Sequence, residues 1–318
     1  MIELIISKND ADQRFDRFLR KYFPNAPLSV IQKNIRKKNF KINDTRAKAD
    51  MFVYEGDIIK MYISDENHDR WIDKKTYKPR DFDLDIVYED ENIIIMDKKP
   101  GMLTHSASSS DYGDNLVDNM IAYLYKTKAV NSRDKTFTPA VVNRLDRNTA
   151  GLVIGAKNAN ALRALNEAMR ENKIDKYYLT LVNGKVDKAF TIDTNISKNE
   201  SKNKIKASKS GDRILTHFRP LKTNGKYSLL ECELITGKTH QIRFSLRENN
   251  TPIIGDRKYG DKNINDIVKS KLNIDNQVLL AYKLRFNKID GLEYLAGKII
   301  ESKQIDDVMR LQEQLFKL

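Results

Sequence analysis

Cysteine is almost missing: Cys232 is the only one in 318 residues, so no disulfide can form within the chain. Histidine is scarce too. The four, at 68, 105, 217 and 240, are scattered, none stands at zinc-ligand spacing, and no metal is expected. No apolar run approaches the roughly 18 residues that span a bilayer. The start, Met1 to Ile6, has neither a basic lead nor a small-residue cleavage site, so a soluble cytoplasmic protein with no membrane contact is expected. A glycine-rich nucleotide loop is also lacking, since Gly237-Lys238-Thr239 is only a fragment of one, and no organic cofactor is expected.

What the chain has in excess is positive charge. Lys and Arg number 57 against 44 Asp and Glu, a net charge of +13, and such a surface draws polyanions. The excess is uneven: between residues 13 and 62, twelve basic side chains face five acidic ones.

That basic stretch reads as a small unit. Phe15, Phe18, Leu19 and Tyr22 recur at helical spacing up to Pro24, and a second helix, with Ser29 as its cap, carries Ile31 and Ile35 inward while Arg36, Lys37 and Lys38 project near its end. Residues 64–80, charged and aperiodic, read as a linker, with Trp71 expected to pack rather than to stack on a base. Beyond them β-rich runs at 93–96, 152–154, 178–182, 229–235 and 278–284 alternate with helical patterns at 114–127, 158–172, 239–248 and 301–317. The expected division is 1–63, linker 64–80, and 81–318. The expected class is α+β: a small α/β unit followed by a mixed, largely antiparallel sheet with flanking helices. The Lys/Ser-rich stretch 198–209 reads as an exposed hairpin or loop whose Lys202, Lys204, Lys206 and Lys209 either hold a nucleic-acid backbone or are simply solvated.

The segment Val141-Val142-Asn143-Arg144-Leu145-Asp146-Arg147-Asn148-Thr149-Ala150-Gly151-Leu152 sets an Arg-flanked carboxylate in a turn before an apolar strand. Alone it could be a surface ion pair. Three further segments accompany it: the turn Lys98-Lys99-Pro100-Gly101; Lys176-Tyr177-Tyr178 to Gly184, with a tyrosine at a strand start; and Thr236-Gly237-Lys238-Thr239-His240-Gln241-Ile242-Arg243, joining a strand to a helix for which Thr239 can serve as cap.

Taken in order, these segments resemble the RluA/RluC/RluD-type pseudouridine synthases. The run Gln13 to Leu19, Ile35 to Lys38, Lys41-Ile42-Asn43 and Glu55-Gly56-Asp57 resembles the S4 RNA-binding module, so that the likeness spans nearly the whole chain. The resemblance implies an isomerase of the pseudouridine synthase fold, with Asp146 the catalytic aspartate, Tyr178 the active-site tyrosine and Arg243 the basic partner of the aspartate. It implies that Arg144 helps hold a flipped nucleotide, with Arg147 and Lys99 beside it, and that Arg14, Arg36, Lys37 and Lys38 meet RNA phosphates. Two positions depart from the pattern. Asn143 stands where the family has His before Arg-Leu-Asp, and Ala150 where it has Ser; a supporting contact is expected to change, not the chemistry. The implied partner is structured RNA, most like the large-subunit (23S) ribosomal RNA of RluC-type enzymes, acted on by a monomer. The alternatives are a transfer-RNA enzyme and an inactive RNA-binding assembly factor. A glycosidase would show a second cooperating carboxylate.

Overall fold

The computed structural model describes residues 1–72, 82–108, 111, 113–130, 136–199, 204–208 and 210–318. The chain divides into two compact units: Met1–Asp81 with Ile121–Ala140 and Lys157–Asn160, and the remainder from Phe82 to Leu318.

In the small unit, strands β1 (Ile2–Ile5), β3 (Phe40–Ile42), β4 (Thr45–Arg46) and β6 (Ile58–Met61) form one sheet in the order β1-β6-β3-β4, and β2 (Gln13–Arg14) pairs with β5 (Phe52–Val53). Helices α1 (Phe15–Tyr22) and α2 (Leu28–Arg36) bury Phe15, Phe18, Leu19, Ile31 and Ile35 with Phe40, Ile42, Ile59 and Met61, the helical and strand periodicities meeting in one core. Ser29 does not cap α2. Pro27 holds the N-cap position without a side-chain bond, its fixed φ already suited to a helix start.

Residues 64–72 are not a linker. Ser64 caps helix α3 (Asp65–Trp71), accepting from the Asn67 amide, and Trp71, 5% exposed, packs edge-on against Phe23. Charge and missing periodicity hid a helix only two turns long that is held by one indole. Residues 73–80 of the expected linker lie outside the described residues. The small unit also takes in residues from further along the chain. Asp10 Oδ1 accepts from the Thr136 amide and hydroxyl, both at 2.7 Å, and Asn9 Oδ1 accepts from the Ala159 amide. A single boundary near residue 63 is therefore replaced by a chain that returns twice.

The large unit is built on one sheet, in the order β13-β12-β14-β15-β11-β16-β10-β8-β7. Its strands are β7 (Ile86–Glu89), β8 (Ile93–Lys98), β10 (Ala150–Ala156), β11 (Ile174–Asn183), β12 (Phe190–Asn199), β13 (Lys204–Ala207), β14 (Asp212–Thr223), β15 (Tyr227–Leu234) and β16 (Leu279–Phe286), with short β9 (Ala140–Val141) and β17 (Ile299–Glu301) at its sides. Helices α4 (Leu116–Lys126), α5 (Ala159–Arg170), α6 (Gln241–Glu248), α7 (Lys262–Leu272) and α8 (Ile305–Leu315) flank it. The sheet is mixed and largely antiparallel, as expected, with β10 and β16 running parallel. Strands β8 and β10 are apolar along almost their whole length because both faces are covered. The side chains of α5 close over Ile93, Ile95, Leu152, Ile154 and Leu284, and those of α7 and α8 over Leu179, Leu181, Leu229 and Leu280. The described part of 198–209 is a hairpin, β13 pairing with β12; Lys206 is exposed, and Lys202 and Lys209 lie outside the described residues.

Candidate active site

Asp146 lies on a short loop feeding β10, and side chains from elsewhere in the large unit fix that loop's backbone. The Thr104 hydroxyl donates to the Leu145 carbonyl at 2.9 Å and accepts from the Leu145 amide at 3.2 Å. The Lys98 ammonium, at the end of β8, donates to the carbonyls of Lys99, Met102 and Arg147 at 2.9–3.0 Å. Asn143 presents its amide to β10 as a strand would, donating to Leu152 O and accepting from Ile154 N. The departure at this position is thus a main-chain support, with no hydrogen bond to Asp146. Gly151, at φ +111, lets β10 run close against β16: an added Cβ would stand 2.2 Å from the Ala281 carbonyl oxygen.

Arg243, on α6, reaches that loop. Its Nη1 donates to Asp146 Oδ2 at 2.8 Å, while Nε and Nη2 grip both oxygens of Asp256 at 2.7 and 2.9 Å. Asp256 is fully buried and also accepts from the amides of Lys258 and Tyr259. Burial opposes charge on both partners. The hydrogen bonds and mutual attraction of the pair outweigh it, holding the Asp256 carboxyl below its usual range and the guanidinium above its own. A fixed cation therefore faces Asp146 whatever the pH. Among the described residues, Asp146 Oδ1 has no hydrogen-bond partner, so one carboxylate oxygen is held and the other is open.

Tyr178 sits in the middle of β11, not at its start, opposite Cys232 of β15 and Ala281 of β16, where β16 bulges at Tyr282 and re-aims its neighbours. Its hydroxyl is pushed well above the ordinary phenol range by burial and then by the Asp146 charge, so it stays protonated. Thr239 does not cap α6. The residue before the helix is His240, in the left-handed region at φ 56 and making no side-chain cap bond. Its Nε2 lies 3.8 Å from Asp146 Oδ2.

The structure thus gathers Asp146, Arg243 and Tyr178. The expected RNA contacts are divided between the two units. Arg144 and Arg147 are exposed on the Asp146 loop. Lys99 is exposed and paired with Asp83 at 3.0 Å, and Arg14 is engaged by Asp16. Arg36, Lys37 and Lys38 are exposed at the end of α2. Arg17 and Arg20, absent from the sequence-based set, line a hollow of about 500 Å³ on the small unit together with Arg14 and Lys21, and have no ion-pair partner among the described residues. Asp256, His240 and Lys98 were missed as well. A carboxylate in the turn Ile254-Gly255-Asp256 and a histidine three residues before Arg243 are signals that only the Arg243 geometry makes readable.

A family model described as RNA pseudouridylate synthase matches residues 92–248. The ribosomal large subunit pseudouridine synthase C of Buchnera aphidicola subsp. Baizongia pistaciae is 35% identical, over 89% of this chain and 88% of its own length. Its namesake in Vibrio cholerae is 29% identical, over 88% and 87%. Among solved structures, human RNA pseudouridylate synthase domain containing 4 aligns with a TM-score of 0.56 at 20% identity, covering 73% of this chain and 92% of that one; at this identity the likeness bears on the fold.

Proposed function

Since this chain belongs to the RNA pseudouridine synthase family of the RluC/RluD type, we propose that it converts uridines of large-subunit (23S) ribosomal RNA to pseudouridine, with Asp146 acting on the sugar. The carrying observation is the half-held carboxylate: Oδ2 on Arg243, Oδ1 open. Arg243, itself locked on Asp256, sets a positive charge against Oδ2, and the open oxygen is available as nucleophile at C1′ or as base toward the same sugar.

Isomerisation breaks the bond from N1 to C1′, leaving the electron pair on the uracil. The base turns, C5 bonds to C1′, the proton on C5 is lost and N1 gains one, so nothing is oxidised and no group departs. Tyr178, buried and protonated beside Asp146, offers a ring face for the uracil and a hydroxyl for proton traffic. The target must first leave its stack, and Arg144 and Arg147, exposed on the same loop, suit the backbone on either side. In the small unit, read as S4-like, the hollow of Arg14, Arg17, Arg20 and Lys21 suits phosphates of structured RNA.

The test is incubation of the pure protein with 23S and transfer-RNA transcripts, followed by mass-spectrometric mapping of pseudouridine. Product in the 23S transcript, absent with Asp146→Asn, is the expected result. Product in transfer RNA alone would replace the substrate, and none in either would leave an RNA-binding factor.

A further inference from the structure

His240 occupies a costly conformation. Residues at a helix N-cap normally lie in the β region and turn a side-chain oxygen toward the first amides. His240 is left-handed, at φ 56 and ψ 17, makes no side-chain cap bond, and bears backbone strain. The imidazole, its side chain 9% exposed, is placed between two groups: Nδ1 lies 3.2 Å from the Tyr259 hydroxyl, and Nε2 lies 3.8 Å from Asp146 Oδ2.

Proton counting assigns the ring. The Tyr259 oxygen accepts from the Ile205 amide at 3.0 Å and, among the described residues, its proton has no acceptor but His240 Nδ1. A ring that accepts at Nδ1 carries its hydrogen on Nε2, facing Asp146. The charged groups around it are Asp146 of the β10 loop, Arg243 of α6, and Asp256 and Lys258 of the turn that follows α6, with the Tyr259 ring edge-on. Burial and the two cations together outweigh the two carboxylates and hold the imidazole neutral near pH 7.

We propose that His240 is a positioning residue for Asp146: its Nε2–H, fixed in that tautomer by Tyr259, closes onto Oδ2 when substrate fills the site and keeps Oδ1 turned toward the ribose. Catalytic hydrogen bonds that are long in a free enzyme commonly tighten in the complex. This role rests on the reading of Asp146 as the catalytic group. Arg243 supplies charge and His240 a second direction of approach, so together they fix the rotation of the carboxylate.

The experiment compares His240→Phe, His240→Gln and Tyr259→Phe in the full chain, by single-turnover rate at saturating RNA, RNA affinity, thermal melting and pH profile. His240→Phe keeps a ring but loses the donor, and is expected to lower the rate by about 10- to 100-fold with affinity and melting nearly unchanged. His240→Gln, whose amide nitrogen can stand where Nε2 does, should recover most of that loss. Tyr259→Phe releases the tautomer, so the neutral ring can lose the Nε2 hydrogen: the rate should fall at neutral and higher pH and recover toward wild type at lower pH, where the imidazolium carries that hydrogen again. A His240→Phe rate equal to wild type, an effect confined to affinity or melting, or a glutamine variant no better than phenylalanine would each overturn the proposal. Should His240→Phe fail to fold, Tyr259→Phe decides alone, and a rate equal to wild type at neutral pH counts against the role. Asp146→Asn measured alongside separates the two readings. If it turns over, the assignment of Asp146 falls and this role with it; if it is inactive while His240→Phe is not impaired, only the role of His240 falls.

Discussion

Two side chains behind Asp146, Asp256 and Lys98, make different demands, and each can be tested alone. Removing the Asp256 charge by Asp256→Asn leaves Arg243 buried with half its compensation. We expect a loss of about 3 kcal/mol in a denaturant melt, together with most of the turnover, since one-sided breakage of a buried pair is strongly destabilising. Lys98 carries a pH signature. Burial lowers its ammonium from 10.5 to about 7 against the opposing pull of Asp146, so between those values the unfolded chain binds the proton more tightly. The stability linked to this residue is full above 10.5 and is lost as pH falls toward 7. The melting stability of wild type relative to Lys98→Met should therefore rise from pH 7 to pH 10, and a flat difference would show that the three carbonyl acceptors hold the ammonium at its ordinary value. Asp146, Tyr178 and Arg243 could be singled out from sequence because each stands in a contiguous, distinctive segment. Asp256 and His240 could not, because their meaning lies in where a guanidinium 13 and 3 residues away happens to point.

At the level of elements, helices α4, α5, α6 and α8 and the central strands β8, β10, β11, β15 and β16 were legible to within a few residues, because burial on one face or both imposes its period on the chain. The caps were not. Ser29 and Thr239 have the right chemistry at nearly the right place, yet α2 starts on Pro27 and α6 on a left-handed His240, where tertiary contacts choose the entry angle. Helices α3 and α7 and strands β12 and β14 went unread; α3 buries little beyond Trp71 and α7 little beyond Val268. The parallel β10/β16 pair leads to a sharp expectation. Gly151→Ala puts a methyl group 2.2 Å from the Ala281 oxygen at a φ that alanine avoids, and should lower stability by several kcal/mol, on the order of the larger core defects. A variant melting within a few degrees of wild type would mean that β10 and β16 part easily, and that the register of the Asp146 loop rests on Thr104, Lys98 and Asn143.

For the molecule as a whole, the net charge of +13 pointed to a polyanion, but which cations are free was decided by pairing: Arg14 and Lys99 are engaged, Arg17 and Arg20 are not. Arg17→Glu with Arg20→Glu should weaken RNA binding and flatten its salt dependence, by roughly 0.7 to 0.9 in log–log slope per lost phosphate contact, while the rate at saturating RNA changes less. Binding titrations across several salt concentrations measure this, and an unchanged slope would mean that this hollow meets no phosphate. Substitution is preferable to deleting the first 75 residues, because Asn9 and Asp10 bond to Ala159 and Thr136. Those same bonds bear on synthesis. Among the described residues, the apolar core of the small unit draws on nothing beyond Trp71 and Ile72 and can collapse as soon as they leave the ribosome, whereas its polar closure at Asn9 and Asp10 must wait for residues 136 and 159. At translation rates of about 5 to 20 residues per second, the nascent chain spends seconds with a formed core and an unlatched rim, and in that interval a protease or a chaperone can still reach it.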